Sequence, residues 1–540
     1  MGGGSFAALG QSPGRGGFPQ LGHSLFSMRS IMTRRLFFAF LVCLALPALL
    51  KAQQPEWVPF CGTKDLNLLR DQVRQAKADM EGALLPRGGI TYVPVRFFLV
   101  AKSDGSSRVS EKRVLDAMCV LNENFADMDI QFYIKQLKFL NHNTIYSNPG
   151  STSGQFAISN QLVYDAINIF ITGDAGGQGV LGYYQPPAGP GGGTDYIVVL
   201  KNEVHKNKTL SHEVGHFLGL LHPFHGWEES GGWDPNVHGM QVGFWAPDGQ
   251  TRNEKMDGSN CNMAADEICD TPPDYLFWNF VSNCNYFGQA RDPDGVLVVP
   301  MLDNFMNYIF SCTQNQFTTG QKNVMTNFLF HPLRNYVRPN FTPNTQVITQ
   351  TPTLKSPVNG ETLPARNNIK LEWEPVPGAD QYLVELSITV GYSVNPITKI
   401  TSGTSVVIEE ELLPDRLYYW HVKPYNASYT CADFSPSETF VTGSVLASRE
   451  IEEVDGLTLL PNPVNQGAEA LLEVNAEAPF EAELRLLDVN GRLLLDLGRR
   501  SLPAGTTLLP LPTGGLAPGM YLVVLQSDTG RNTRKLVVLP

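Results

Sequence analysis

Residues 209–222 read TLSHEVGHFLGLLH, and this stretch limits what the rest of the chain can become. On a helix, at ~100° per residue, Leu210, Val214, Phe217, Leu218 and Leu221 gather on one face. His212 and His216 are four apart on the opposite face, so both imidazoles can point at one object. Glu213 follows the first histidine, where it can contact a metal-held water without ligating the metal. Gly219 can adopt positive φ and end the helix, which would swing His222 back as a third nitrogen ligand. Three neutral imidazoles around Zn²⁺ leave a fourth position open, the arrangement of a catalytic site and not of a structural one. There Glu213 is expected to take a proton from water and return it to a leaving amine.

Ahead of this helix, residues 92–100, 130–135, 166–172 and 196–200 read as strands and residues 109–125 as a helix. Residues 182–185 read as an edge strand on which an extended peptide could pair. Alternation of strand and helix before the active-site helix predicts a twisted mixed sheet packed on helices.

The order HExxHxxGxxH resembles that of the metzincin metalloproteases, which carry a Met-turn downstream. Residues 303–308, DNFMNY, supply one, with Met306 suited to lie beneath the metal and Tyr308 to donate to a developing oxyanion. With HPF at 222–224, CDTPP at 269–273 and FTTGQ at 317–321, residues 55–335 are similar to the pappalysin (ulilysin-like) family. The resemblance implies an α+β catalytic domain, one catalytic zinc, protein or peptide substrates, and latency through a Cys-Gly pair. That pair is Cys61-Gly62, so Cys61 is the expected latency ligand, with a plain disulfide to Cys119 as the alternative. Relatives bind calcium near the DTP sequence, where Asp266, Asp270 and Thr271 offer hard oxygens; a simple turn before Pro272 explains Asp270 equally well. In members that prefer basic residues after the scissile bond, an acidic residue stands just before the Met-turn cysteine. Here Ser311 stands there, which puts that preference in doubt.

Four of the eight cysteines, Cys261, Cys269, Cys284 and Cys312, crowd between the helix and a point just past the Met-turn, which suggests disulfides and an oxidising compartment. Four cysteines allow three connectivities; similarity to the family favours Cys261–Cys284 and Cys269–Cys312.

At 540 residues the chain should hold several domains. Residues 1–52 read as an over-extended N-terminus and signal peptide, with Arg34 and Arg35 before a short apolar run. Residues 53–88 read as a propeptide and 89–340 as the catalytic domain. Residues 352–443, with Trp373, PVPGA at 375–379, Tyr382 and Trp420, look like a fibronectin type III module. Residues 457–540, with LLPNP, DVNGR and LAPGMYLVVL, resemble the C-terminal sorting domain of type IX secretion in Bacteroidetes. The fold class is therefore multidomain: an α+β metzincin-type domain followed by two all-β sandwiches. A net charge of −12 argues against a nucleic-acid partner, and no stretch beyond the signal peptide approaches a membrane span. The expected protein is a monomeric zinc endopeptidase, made as a latent zymogen and exported through the periplasm to the medium or cell surface by the type IX machinery. The alternative is a surface adhesin with an inert protease-like domain.

Overall fold

A computed structural model of the chain describes residues 60–79, 89–187, 193–444, 450–489, 491–528 and 530–540. The expected signal peptide at 1–52 lies outside the described residues. The catalytic part is built on a six-stranded sheet of order β1-β5-β6-β4-β2-β3. Its strands are β1 (Phe60–Cys61), β2 (Thr91–Ala101), β3 (Ile130–Asn141), β4 (Ile167–Thr172), β5 (Val180–Gln185) and β6 (Tyr196–Leu200). Strands β3, β2, β4 and β6 run parallel, whereas β5 is antiparallel to β6, which makes the sheet mixed as expected. The near-continuous apolar runs of β2 and β4 suit this position: β2 lies between β3 and β4, and β4 is buried throughout.

Four helices matter for the site: α1 (Leu66–Asp79), α2 (Glu111–Asn124), α3 (Thr209–Phe217) and α4 (Thr319–Phe330). Helix α2 is the crossover from β2 to β3, and α3 follows β6 after a short turn. Phe97, Ile169, Val199, Val214, Phe217, Met306 and Phe328 share one core, so the sheet, α3, the Met-turn and α4 are packed as a unit. The FTTGQ motif is the start of α4. Thr318 accepts from the Gln321 amide while the Gln321 side chain accepts from the Thr318 amide, a capping box.

Strand β5 does not lie open. β1 pairs with it in parallel, with Phe60 N donating to Gly179 O at 3.0 Å and Gly62 N to Gly182 O at 2.8 Å. Helix α1 then buries Leu66, Leu69, Val73 and Ala76, an i, i+3, i+7, i+10 stripe, in the catalytic core.

Two β-sandwiches follow. The first packs a three-stranded on a five-stranded sheet around Leu371, Trp373, Val384, Trp420, Val422 and Phe440. The second packs three strands on five around Leu472, Val474, Leu484, Leu486, Val523 and Leu536. In the first sandwich the alternating Ile369, Leu371 and Trp373, and Tyr418, Trp420 and Val422, all lie in the core. The first sandwich is joined to α2 by a disulfide, Cys119–Cys431. A Cys61–Cys119 bridge is therefore not found, and Cys61 is free. Among the described residues no helix is long and apolar enough to cross a membrane.

The cysteine pairing expected from the family resemblance is corrected. Cys261 pairs with Cys269, and Cys284 with Cys312. A 3-10 turn at Cys261–Met263 folds the chain back, so Cys261 and Cys269 have Cα atoms 4.9 Å apart. Cys284 sits in the turn of a small hairpin, Val281–Ser282 with Asn285–Tyr286, and its amide donates to Ser311 Oγ. That bond brings it beside Cys312, at a Cα separation of 4.8 Å, within the reach a disulfide requires.

Candidate metal centre

Every residue of α3 is buried. The helix ends at Leu218, and Gly219 takes φ +94°, a conformation that favours glycine. A side chain there would also meet the Phe328 ring and Val73 at 3.0–3.1 Å. This turn returns the chain so that His222 faces His212 and His216. Their Nε2 atoms are mutually close: 3.1 Å for His212–His216, 3.1 Å for His216–His222 and 3.3 Å for His212–His222.

The other ring nitrogens fix the tautomers. His212 Nδ1 donates to Phe305 O at 2.8 Å, His216 Nδ1 to Leu220 O at 2.7 Å, and His222 Nδ1 to Glu228 Oε1 at 3.0 Å. Burial holds all three rings below the usual imidazole range, so they are neutral. Three Nε2 lone pairs then face one another with no proton among them, an arrangement that a cation relieves. Tetrahedral nitrogen ligands at ~2.0–2.1 Å from zinc stand ~3.3–3.4 Å apart, so the donors present fit that ion.

Glu213 and Cys61 lie on the open side of the three rings. The Cys61 thiol donates to Glu213 Oε2 at 3.4 Å and its sulfur, with the three imidazole nitrogens, falls in one group spanning at most 4.8 Å. Thr63 Oγ1 donates to the same carboxylate at 3.4 Å. Burial pushes the Glu213 carboxyl up to about 8, and burial with the Glu213 charge pushes the Cys61 thiol well up. A coordinated cation reverses that logic for the thiol. Tyr308 is buried, its ring 4.9 Å from that of His222, and its hydroxyl donates to Cys61 O at 3.1 Å.

Met306 is fully buried and lies against Gly215 of α3. Lys208, just before α3, reaches across to the same turn. Its ammonium donates to Asn304 O, Asn307 Oδ1 and Ile309 O at 2.9, 2.6 and 2.8 Å, and burial lowers it to about 7. Farther out, Arg334 pairs with Asp195 at 2.6 Å and donates to Phe217 O, holding the C-terminal end of α3.

Several of these groups, Glu228 and Lys208 among them, were not found by sequence reasoning. Glu228 lies six residues past the last motif histidine, and its orienting role has no signature at that spacing. Burial alone would raise its carboxyl, but hydrogen bonds from His222 and His225 hold it well below the usual range. The Lys208 strut depends on loop carbonyls that no sequence pattern identifies.

The oxygens expected to serve calcium are engaged separately. Asp266 accepts from Thr271 Oγ1 and Ile268 N, whereas Asp270 accepts from Thr318 Oγ1 and Gly320 N at the start of α4. Asp270 is thus part of helix capping, and the Thr271 hydroxyl donates to Asp266.

Residues 458–539 match the family described as secretion system C-terminal sorting domain. Over 242 residues the chain is 27% identical to "Extracellular metalloprotease 1" of Coccidioides posadasii, spanning 42% of this chain and 72% of that protein. It is 26% identical over 312 residues to "Extracellular metalloprotease" of Sordaria macrospora, spanning 53% and 94%. Among solved structures, a mutant of Tannerella forsythia promirolysin is 19% identical, covering 52% of this chain and 96% of that one with a TM-score of 0.33. The catalytic part is thus related in sequence to extracellular metalloproteases, and the C-terminal part matches a secretion sorting domain.

Proposed function

We propose that this protein is a secreted zinc endopeptidase held latent by its own N-terminal segment. One observation carries the reading: three neutral imidazoles present their lone pairs to one point, with a buried carboxylate and a free thiol on the open side. His212, His216 and His222 would hold the ion, and three imidazoles with one open position suit zinc. When bound, zinc supplies Lewis acidity, polarising a peptide carbonyl and acidifying water.

The rest falls to side chains of this chain. Glu213 takes the proton of the attacking water at its carboxylate and passes it to the leaving amine. Tyr308 turns its hydroxyl from Cys61 O to the oxygen on which negative charge develops. β5 offers its backbone to an extended substrate once β1 has left it. Until then Cys61 fills the open side as a soft sulfur ligand, and β1 with α1 keeps it there.

Residues 53–88 serve as the latency segment and 89–340 as the peptidase, with the two sandwiches at 352–443 and 457–540 behind it. The match of the last to a sorting domain supports export by the type IX machinery of a Bacteroidetes-type bacterium. An inert adhesin would leave Glu213, Tyr308 and the three rings without a task. The test is Glu213→Gln: zinc content should stay at one per chain while peptide hydrolysis falls by at least ~100-fold. Undiminished hydrolysis with bound zinc would refute the assigned base.

A further inference from the structure

Helix α3 carries His212, Glu213 and His216, but Tyr308 comes from the separate segment that follows Met306. For the phenol to meet a developing oxyanion, that segment must keep a fixed distance from α3. In the latent chain the Tyr308 hydroxyl donates to Cys61 O, a bond that leaves with the latency segment. Another group has to hold the residue afterwards. Lys208 joins the two parts. Its carbonyl accepts the His212 amide at 2.9 Å, so its backbone belongs to the first turn of α3. Its ammonium donates to Asn307 Oδ1 at 2.6 Å and to Ile309 O at 2.8 Å, the residues on either side of Tyr308, and to Asn304 O at 2.9 Å. Asn307 is fixed in turn: its Oδ1 also accepts the Ile309 amide, and its Nδ2 donates to Met301 O and Leu302 O. None of the three acceptors of Lys208 lies in residues 53–88, so this grip outlasts the departure of Cys61.

Resting on the peptidase reading above, we propose that Lys208 is a positioning residue for Tyr308: it locks the turn that bears the phenol to the start of α3, so that the hydroxyl stands ready once the latency segment has gone. Lys208 is buried, and the Phe310 ring covers its ammonium with the ring centre 5.4 Å away. Its three partners are one carboxamide oxygen and two backbone carbonyls, with no carboxylate among them. An ammonium buried in this way is tolerated only when its hydrogens are used, and all three are. An apolar side chain would fill the same space without that demand, but its contacts have no direction and would let the turn slide. Three charge-assisted hydrogen bonds fix distance and angle together. The burial of a cation here is thus explained by the alignment it imposes on Tyr308, between Asn307 and Ile309.

The test takes the zinc-loaded full chain carrying Cys61→Ala and Leu69→Asp as parent, with kcat and KM measured on a quenched fluorescent peptide. Lys208→Met should keep its zinc and lower kcat at least ~10-fold with KM unchanged within about twofold, the mark of a contact made only in the transition state. In a Tyr308→Phe background the same substitution should cost less than about twofold more, because the hydroxyl it acts through is no longer there. Losses that multiply would show a merely structural brace and overturn the proposal, as would lost zinc or an unchanged kcat. Where Lys208→Met does not fold, Lys208→Gln, similar in length with fewer hydrogens to donate, answers the same question. Binding gives a second readout without turnover. A phosphinic peptide, whose charged oxygens imitate the oxyanion, should bind Lys208→Met and Tyr308→Phe each at least about tenfold more weakly than the parent, and the double variant no more weakly than Tyr308→Phe. Undiminished affinity in Lys208→Met would overturn the strut. A parent that holds zinc but cleaves nothing sinks the peptidase reading instead.

Discussion

A methyl group added to Gly215 would fall 2.5 Å from the sulfur of Met306. Neither partner is free to withdraw. Gly215 lies between the two histidines of α3, and the Met306 amide is held by Asn304 Oδ1 at 2.8 Å, itself bonded to Gln321. The preceding carbonyl, Phe305 O, is the acceptor for His212 Nδ1. The Met-turn therefore sets the angle of the first imidazole as well as filling space. Gly215→Ala should cost ~1–3 kcal/mol by overpacking and weaken zinc retention with it. Thermal unfolding and zinc content after dialysis check this; a variant with native melting and full zinc would contradict the coupling.

Glu228 orients His222 through one carboxylate oxygen and also takes the Gly226 amide at 2.8 Å on the other. Glu228→Gln keeps the shape but removes the charge that supports the Nδ1 proton. Zinc affinity is expected to fall by ~10–100-fold, with little change in the melting temperature of the metal-free protein. Competition against a chromogenic chelator measures the first quantity, and an unaltered affinity would remove Glu228 from the metal's support.

Two buried carboxyls outside the centre set a pH dependence. Burial raises Asp266 to about 8, and burial together with the Asp266 charge raises Glu254 to about 9. Both folded values lie above the ordinary carboxyl range near ~4. The folded protein thus holds more protons than the unfolded chain between pH ~4 and pH 8–9, so this stability is full at the acid end and is lost as pH rises through 8–9. The melting temperature should fall by several degrees from pH 5 to pH 9, and Asp266→Asn with Glu254→Gln should flatten that slope. A wild-type slope that the double variant leaves unchanged would show that other groups govern it.

The motif histidines and Glu213 were legible because α3 is short-range, whereas Met306 was legible only through the metzincin resemblance. An i, i+4 pair and a glycine turn fix three ligands within eleven residues, with no help from distant sequence. The strands were legible for a similar reason, as apolar runs such as INIFIT at Ile167–Thr172. Cysteine partners were not, since the geometry that decides them lies in irregular turns. Cys119 gave no hint of its partner, because Cys431 is 312 residues away in the first sandwich. Nor could spacing reveal that Asp270 caps α4, since Thr318 and Gly320 reach it only through the tertiary fold.

The Cys119–Cys431 bridge is one of several bonds joining the first sandwich to the catalytic part. Ile134 N donates to Ala427 O at 2.7 Å, Thr430 Oγ1 to Leu115 O at 2.8 Å, and Leu115 packs with Leu383 and Tyr425. Cys119→Ser with Cys431→Ser should therefore lower stability by ~2–4 kcal/mol without releasing the module. Denaturant titration gives the loss, and small-angle scattering should give an unchanged envelope. An expanded envelope would mean that the disulfide alone holds the two together.

In the proposed zymogen, latency would rest on three attachments of unequal strength. Cys61 offers the sulfur, β1 contributes its few backbone bonds to β5, and α1 buries four apolar side chains in the core. Burial of that stripe is the largest of the three outside the metal itself, at roughly 1.5–3 kcal/mol for each fully buried large side chain. Removing the sulfur alone should thus uncover the centre without expelling the segment. Cys61→Ala is expected to hydrolyse peptides at least ~10-fold faster than the uncut wild type, yet more slowly than a chain cleaved after α1. Cys61→Ala combined with Leu69→Asp, which breaks the α1 stripe, should close most of that gap. A Cys61→Ala chain as silent as the wild type, with zinc bound, would move the burden of latency from the thiol to the docked helix.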